Sequence, residues 1–127
     1  MKSLIILPAV FLLSVSAEKC KNKEENNGKV YKGRLEIKAL CMNYTVKVLE
    51  GDTDTSWVAL NWTDEHSGKS HSNVFALESK CTFPSTIKEG DEFYFVIDNS
   101  ATKDCPVCMA YYPVPPKKAS IRVVDKP

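Results

Sequence analysis

Three features of the sequence predict an all-β domain built as a small barrel or sandwich. Short runs of β-branched and aromatic residues alternate with polar ones, and clusters of Gly, Asp, Asn and Ser separate those runs. No window carries a sustained apolar pattern at helical spacing, although Lys29 to Ala39 could hold a short helix. Five cysteines follow an apolar leader, which predicts a small fold stapled by disulfides.

The chain opens MKSLIILPAVFLLSVSA, with Lys2 before an apolar run from Leu4 to Leu13 and small residues at Val15 and Ala17. This reads as a secretory signal over residues 1–17, cleaved after Ala17, and Pro8 and the shortness of the run argue against a membrane span. The rest, 18–127, suits a single secreted β-domain. Its first stretch, 18–28, is polar and charged and reads as an N-terminal loop with Cys20 as its anchor.

The strands follow in order. Val30 to Leu40 alternates imperfectly, and Tyr44 to Glu50 alternates well, with Tyr44, Val46 and Val48 on one face. In Ser56 to Trp62 the face of Val58, Leu60 and Trp62 is expected inward, which turns Asn61 outward. Asn73 to Ser79, Glu92 to Asp98 and Ser120 to Asp125 complete the set. In the fifth run Phe93, Phe95 and Ile97 share one face, Tyr94 and Val96 the other. Turn formers lie between the runs at Gly51, from Thr63 to Ser72, and at Lys88 to Asp91. The proline-dense YYPVPPKK, Tyr111 to Lys118, cannot be a central strand and reads as an extended crossing segment.

Removing Lys2 with the signal takes the formal net charge from +1 to zero, and charges of both signs are interspersed. Neither nucleic acid nor an anionic membrane surface is therefore an expected partner. Cys20, Cys41, Cys81, Cys105 and Cys108 are all expected in disulfides, and their odd number leaves one free thiol or an intermolecular disulfide. Two sequons, Asn43-Tyr44-Thr45 and Asn61-Trp62-Thr63, are candidate N-glycosylation sites.

No catalytic group assembles in the sequence, so an enzyme is not expected. Cys105-Pro106-Val107-Cys108 is a C-x-x-C, but the MAYYPVPP that follows cannot form the helix a redox pair needs, and the two thiols are expected to serve different bridges or to include the odd cysteine. His66 and His71 sit in a polar hairpin loop with Gly68, as solvated residues do, and no metal or cofactor is implied. No nucleophile stands in a setting such as G-x-S-x-G.

Cys41 followed by NYTVKVLE, a polar turn, SWVALNW, a loop, NVFALESKC and then IKEGDEFYFVID resembles the netrin-like module, as in the N-terminal domain of tissue inhibitors of metalloproteinases. The resemblance covers Cys41 to Asp98. It sets Cys41 before a barrel strand, Cys81 after a later one, and Gly90 in the turn that leads into the strand of Phe93 to Val96. It implies a five-stranded Greek-key barrel of OB type with the N-terminal segment stapled across it. It also implies pairing of Cys20 with Cys81, and of Cys41 with Cys105 or Cys108. Glu18 and Lys19 precede Cys20, so the amino-terminal cysteine with which the metalloproteinase inhibitors chelate zinc is not reproduced. The alternative fold is an immunoglobulin-like sandwich, because Trp57 and Trp62 lie between Cys41 and Cys81. A Cys41 to Cys81 bridge would favour that sandwich and a Cys20 to Cys81 bridge the barrel.

The expected function is binding of an extracellular protein, with inhibition of an extracellular metalloprotease as its sharpest form. A secreted immunoglobulin-like recognition or carrier protein, and a matrix or secretion component joined through the odd cysteine, are the alternatives. The expected contact surface centres on Tyr111, Tyr112 and the loop around Cys20, since aromatic rings give large contact area at little entropic cost and proline limits the ordering penalty.

Overall fold

A computed structural model describes residues 29–101 and 105–127. The signal stretch 1–17, the loop 18–28 and Cys20 lie outside the described residues.

Seven strands form: β1 (Tyr31–Lys38), β2 (Tyr44–Glu50), β3 (Ala59–Thr63), β4 (Ser70–Leu77), β5 (Glu92–Ile97), β6 (Lys118–Ala119) and β7 (Ile121–Val124). The segment around Lys29 to Ala39, where a short helix was a possibility, is strand β1, because its alternation sends Tyr31, Gly33 and Leu35 inward. β1 pairs antiparallel with β2 and β5, β2 with β4, and β5 with β7. The last strand closes the sheet. Ser120 alone separates β6, which runs parallel to β4, from β7, which runs antiparallel to β5. The order β1-β2-β4-β6/β7-β5 thus returns to β1, a five-stranded ring with one parallel junction, the connectivity of an OB-type Greek-key barrel. β3 hangs on β4 outside that ring as the arm of a hairpin. A single ring replaces the two facing sheets that the immunoglobulin-like alternative requires.

Closing so few strands demands sharp curvature. β1 supplies it with register shifts against β2 at Lys32/Gly33 and at Leu35/Ile37. Gly33 lies where β1 crosses Phe95: a Cβ there would stand 2.9 Å from Phe95 Cε1 and 3.2 Å from the Lys47 carbonyl. The core inside the ring comprises Leu35, Val46, Phe75, Phe95 and Ile121, all at most 2% exposed. Phe95 is its centre, with ring centroids 5.4 Å from Tyr31, 5.8 Å from Phe75 and 5.9 Å from Phe93. Phe93, Phe95 and Ile97 do share the inner face of β5.

The expected inward face of the third run is corrected. Residues 55–57 form a turn and the strand starts at Ala59, so period-two counting from Ser56 begins in the wrong frame. Trp57 folds back from the turn onto Tyr31 and Phe75, at 5.2 and 5.5 Å, and Val58 and Ala59 are both buried. Leu60, expected inside, is 54% exposed.

Two disulfides join the described cysteines: Cys41 to Cys108, with Cα atoms 4.9 Å apart, and Cys81 to Cys105, at 5.5 Å. Cys41 thus takes one of the two partners the netrin-like resemblance implied, and the thiols of the C-x-x-C do serve different bridges. The implied Cys20 to Cys81 pairing is overturned, because Cys81 is already bonded to Cys105. The physical reason is the path of the chain after β5: it returns past both the loop after β4 and the turn after β1, bringing Cys105 to one and Cys108 to the other. Among the described residues no helix is long and apolar enough to cross a membrane.

Candidate functional site: an apolar platform on a stapled crossing segment

The segment from Cys105 to Lys117 has no regular secondary structure, yet it is fastened along its length. After the two disulfides, the Ala110 N–H lies 3.4 Å from Cys41 Sγ, and the Ala110 carbonyl accepts from Asn43 Nδ2 at 3.0 Å. The same Nδ2 donates to the Leu40 carbonyl at 3.0 Å, so one amide ties the turn after β1 to the crossing segment. Further on, Pro115 is buried and the Lys117 carbonyl accepts from the Ala76 N–H at 2.8 Å.

That turn is a 3-10 turn, Leu40–Met42, in which Cys41 and Met42 both hold left-handed backbone angles, φ 55° and 56°. A non-glycine residue in that region costs about 1–2 kcal/mol, so the neighbouring bridge and the Asn43 amide must hold it there. Leu40, next to Cys41, is 54% exposed, and Met109 and Tyr111, one and three residues beyond Cys108, are 96% and 81% exposed. Among the described residues the large hydrophobic side chains left exposed are these three and Leu60, so three of the four gather around one disulfide. Beside Leu40 and the bridge runs a shallow cleft of about 530 Å³, with Met42, Tyr44, Pro106 and Val107 in its walls.

Tyr111 and Tyr112, expected together on a contact surface, are separated. The Tyr112 hydroxyl donates to Asp64 Oδ2 at 3.2 Å and its ring lies 5.2 Å from that of His66. Asp64, at the start of the β3–β4 turn, is 1% exposed and also accepts from the His66 N–H at 2.8 Å and the Ser67 hydroxyl at 2.9 Å. Burial by itself would raise its carboxyl, but these donors outweigh burial and hold it below the usual carboxylate range. Burial, reinforced by the bond to Asp64 and its charge, pushes the Tyr112 phenol up. Tyr112 is therefore an anchor, and Tyr111 the free aromatic.

Asn61 is exposed on β3, whereas Asn43 is half-buried with its amide occupied as described. His71 Nδ1 lies 3.4 Å from Oε1 of Glu36, whose Oε2 accepts from Arg34, and its ring lies against Trp62. Among the described residues no three His, Cys, Asp or Glu side chains converge to hold a metal. Elsewhere a polar cleft of about 410 Å³ opens beside Tyr31 and Trp57, with Asp52, Asp54 and Lys118 among its walls. Its signs of charge are mixed. Burial and then the two aspartates push the Tyr31 phenol up. Leu40 and Met109 do not stand out in the sequence: an apolar residue between proline-dense stretches was the available signal for Met109, and the mostly apolar surroundings of Leu40 carry none.

The fold is a small disulfide-stapled β-barrel of OB-type connectivity with exposed apolar side chains beside one of its bridges. No family model matches the chain, and no curated protein and no solved structure matches it either.

Proposed function

We propose that this chain is a secreted protein-binding module of netrin-like kind, which engages an extracellular protein through the platform of Leu40, Met109 and Tyr111. The observation that carries this reading is the gathering of those exposed side chains around the Cys41–Cys108 bridge. Burying apolar surface drives association, and an exposed cluster of this kind marks a contact site more often than scattered residues do. Two intrachain disulfides and a signal-like leader support a secretory route. The ring of five strands supports the netrin-like reading, since an OB-type barrel is the fold that module implies. Because Glu18 and Lys19 precede Cys20, inhibition of a metalloprotease would proceed through the platform or through an N-terminus trimmed to begin at Cys20.

A second reading has its own observation. The four described cysteines pair with one another, which leaves no second cysteine in this sequence for Cys20. That arithmetic favours a matrix or secretion component linked to its partner through Cys20.

The test is an assay of the secreted chain against a panel of extracellular metalloproteases, run beside photocrosslinking from position 109 in extracellular fluid. Inhibition, or a discrete adduct that a Leu40→Ser/Tyr111→Ser variant loses, supports the platform. The absence of both inhibition and an adduct sinks it, and a partner released only by reductant and lost in Cys20→Ser moves the reading to the second one.

A further inference from the structure

We infer that Asn61, and not Asn43, carries an N-linked glycan, and that this glycan guards the unpaired edge of β3. The inference rests on the secretory reading above.

The two sequons differ in what their amides do. Asn43 Nδ2 donates to two carbonyls, Leu40 and Ala110, which uses both of its hydrogens. N-glycosylation forms a bond from Nδ2 to the anomeric carbon of an oligosaccharide carried as a lipid diphosphate. The carbon–oxygen bond breaks, the lipid diphosphate leaves with its electron pair, and the amide gives up one proton. A glycan on Asn43 would therefore remove one of the two bonds that hold the left-handed Leu40–Met42 turn against the crossing segment. Asn61 is exposed and its amide makes no bond to the described residues, so the same modification disturbs nothing there.

The position of Asn61 gives the glycan a role. Among the described residues β3 pairs with β4 alone, through Asn61↔Ser72, Trp62↔His71 and Thr63↔Ser70. The Asp64 N–H bonds the Lys69 carbonyl at 2.8 Å. Alternation in an antiparallel ladder then turns the Trp62 backbone toward β4, and the N–H and C=O of Asn61 and Thr63 outward. Such an edge is a template for another strand unless charge, proline or bulk blunts it. β3 reads ALNWT, with neither charge nor proline, and Leu60 on it is exposed. β7, which likewise has one neighbour for most of its length, carries Arg122 and runs on into Asp125, Lys126 and Pro127. The sequon thus falls on the strand that lacks the protection β7 has, at a residue whose backbone faces outward.

The experiment is expression of the full chain in a eukaryotic secretory cell, glycopeptide mass spectrometry of the secreted protein, and sedimentation of Asn61→Gln, Thr63→Ala and Asn43→Gln variants. The expected result is one glycan, at Asn61, on a monomer. The Asn61→Gln and Thr63→Ala proteins roughly double in mass or associate further, Asn43→Gln stays monomeric, and Leu60→Lys added to Asn61→Gln restores the monomer. Should Asn61→Gln not fold, trimming the secreted wild-type glycan to one sugar with an endoglycosidase supplies the same readout. A secreted chain bare at Asn61, one modified at Asn43, or a bare-edged protein that remains monomeric overturns the inference alone. Retention of the unprocessed chain inside the cell overturns both it and the secretory reading.

Discussion

The Tyr112 hydroxyl bonds the buried Asp64 carboxylate at 3.2 Å, joining residues 48 positions apart and fastening the crossing segment to the β3–β4 turn four residues after its second disulfide. Asp64 draws its other donors from its own turn, so this bond is its long-range tie.

The sign of the pH dependence follows from that carboxyl. Its folded pKa lies below the ordinary unfolded value of about 3.9, so it contributes stability above that pH and loses it as pH falls through the lower folded value. Asp64→Asn should therefore lower stability at neutral pH and flatten the acid limb of the stability curve below pH of about 4. Tyr112→Phe should raise the Asp64 pKa toward the ordinary value, read by NMR titration. An unchanged titration in Tyr112→Phe would contradict the bond.

Phe95 sits at the centre of the barrel, 0% exposed and against three other aromatic rings. Truncation to alanine removes those contacts and leaves a cavity that a closed ring cannot collapse, at a cost of about 3–5 kcal/mol. Phe95→Ala should lose most of its secreted yield, and chemical denaturation of what is secreted measures the cost. Wild-type yield and midpoint would show that the strand is not central.

Two glycines separate steric crowding from backbone angle. Gly33→Ala drives a methyl against Phe95 and the Lys47 carbonyl, a form of overpacking that costs about 1–3 kcal/mol. Gly68→Ala meets nothing within 4 Å, but its φ of +74° lies in the left-handed region, for about 1–2 kcal/mol. Thermal melts should show both destabilised, with a near-ultraviolet change at the aromatic core in Gly33→Ala only. An aromatic change in Gly68→Ala as well would mean that crowding and angle are not separable here.

Much of the barrel was legible because β2 and β5 alternate cleanly, and such a pattern survives only where one face is buried along the whole strand. Phe93, Phe95 and Ile97 illustrate it. The frame of β3 was not legible, because Trp57 belongs to a turn and counting by twos holds only inside a strand. Closure at Ser120 depends on one short stretch changing partners from β4 to β5, which leaves no mark on local composition. The bridge of Cys81 was hidden for a similar reason: pairing reflects where the crossing segment passes, and that is a property of the closed ring. Tyr111 could be named from exposure of an aromatic among prolines, whereas the capture of Tyr112 by Asp64 required knowing that the β3–β4 turn comes to meet it.

The last prediction separates the two disulfides. The Cys41–Cys108 bridge spans 67 residues and the Cys81–Cys105 bridge 24. Chain entropy assigns them about 4.4 and about 3.5 kcal/mol respectively, as upper figures that native strain reduces. Their local consequences differ more than their sizes. Replacing Cys41 and Cys108 by serine releases the turn that presents Leu40 and the stretch that presents Met109 and Tyr111, while Tyr112 remains held by Asp64. Replacing Cys81 and Cys105 releases the segment upstream and leaves the platform bridge in place. Hydrogen exchange should thus rise at residues 40–43 and 107–111 in the first pair of substitutions, and around residues 80–82 and 105 in the second, with the Ala76 N–H protected in both through its bond to the Lys117 carbonyl. Platform-dependent adducts should vanish in the first pair and persist in the second. Equal loss in both would mean that the platform depends on the stability of the whole barrel and not on its own bridge.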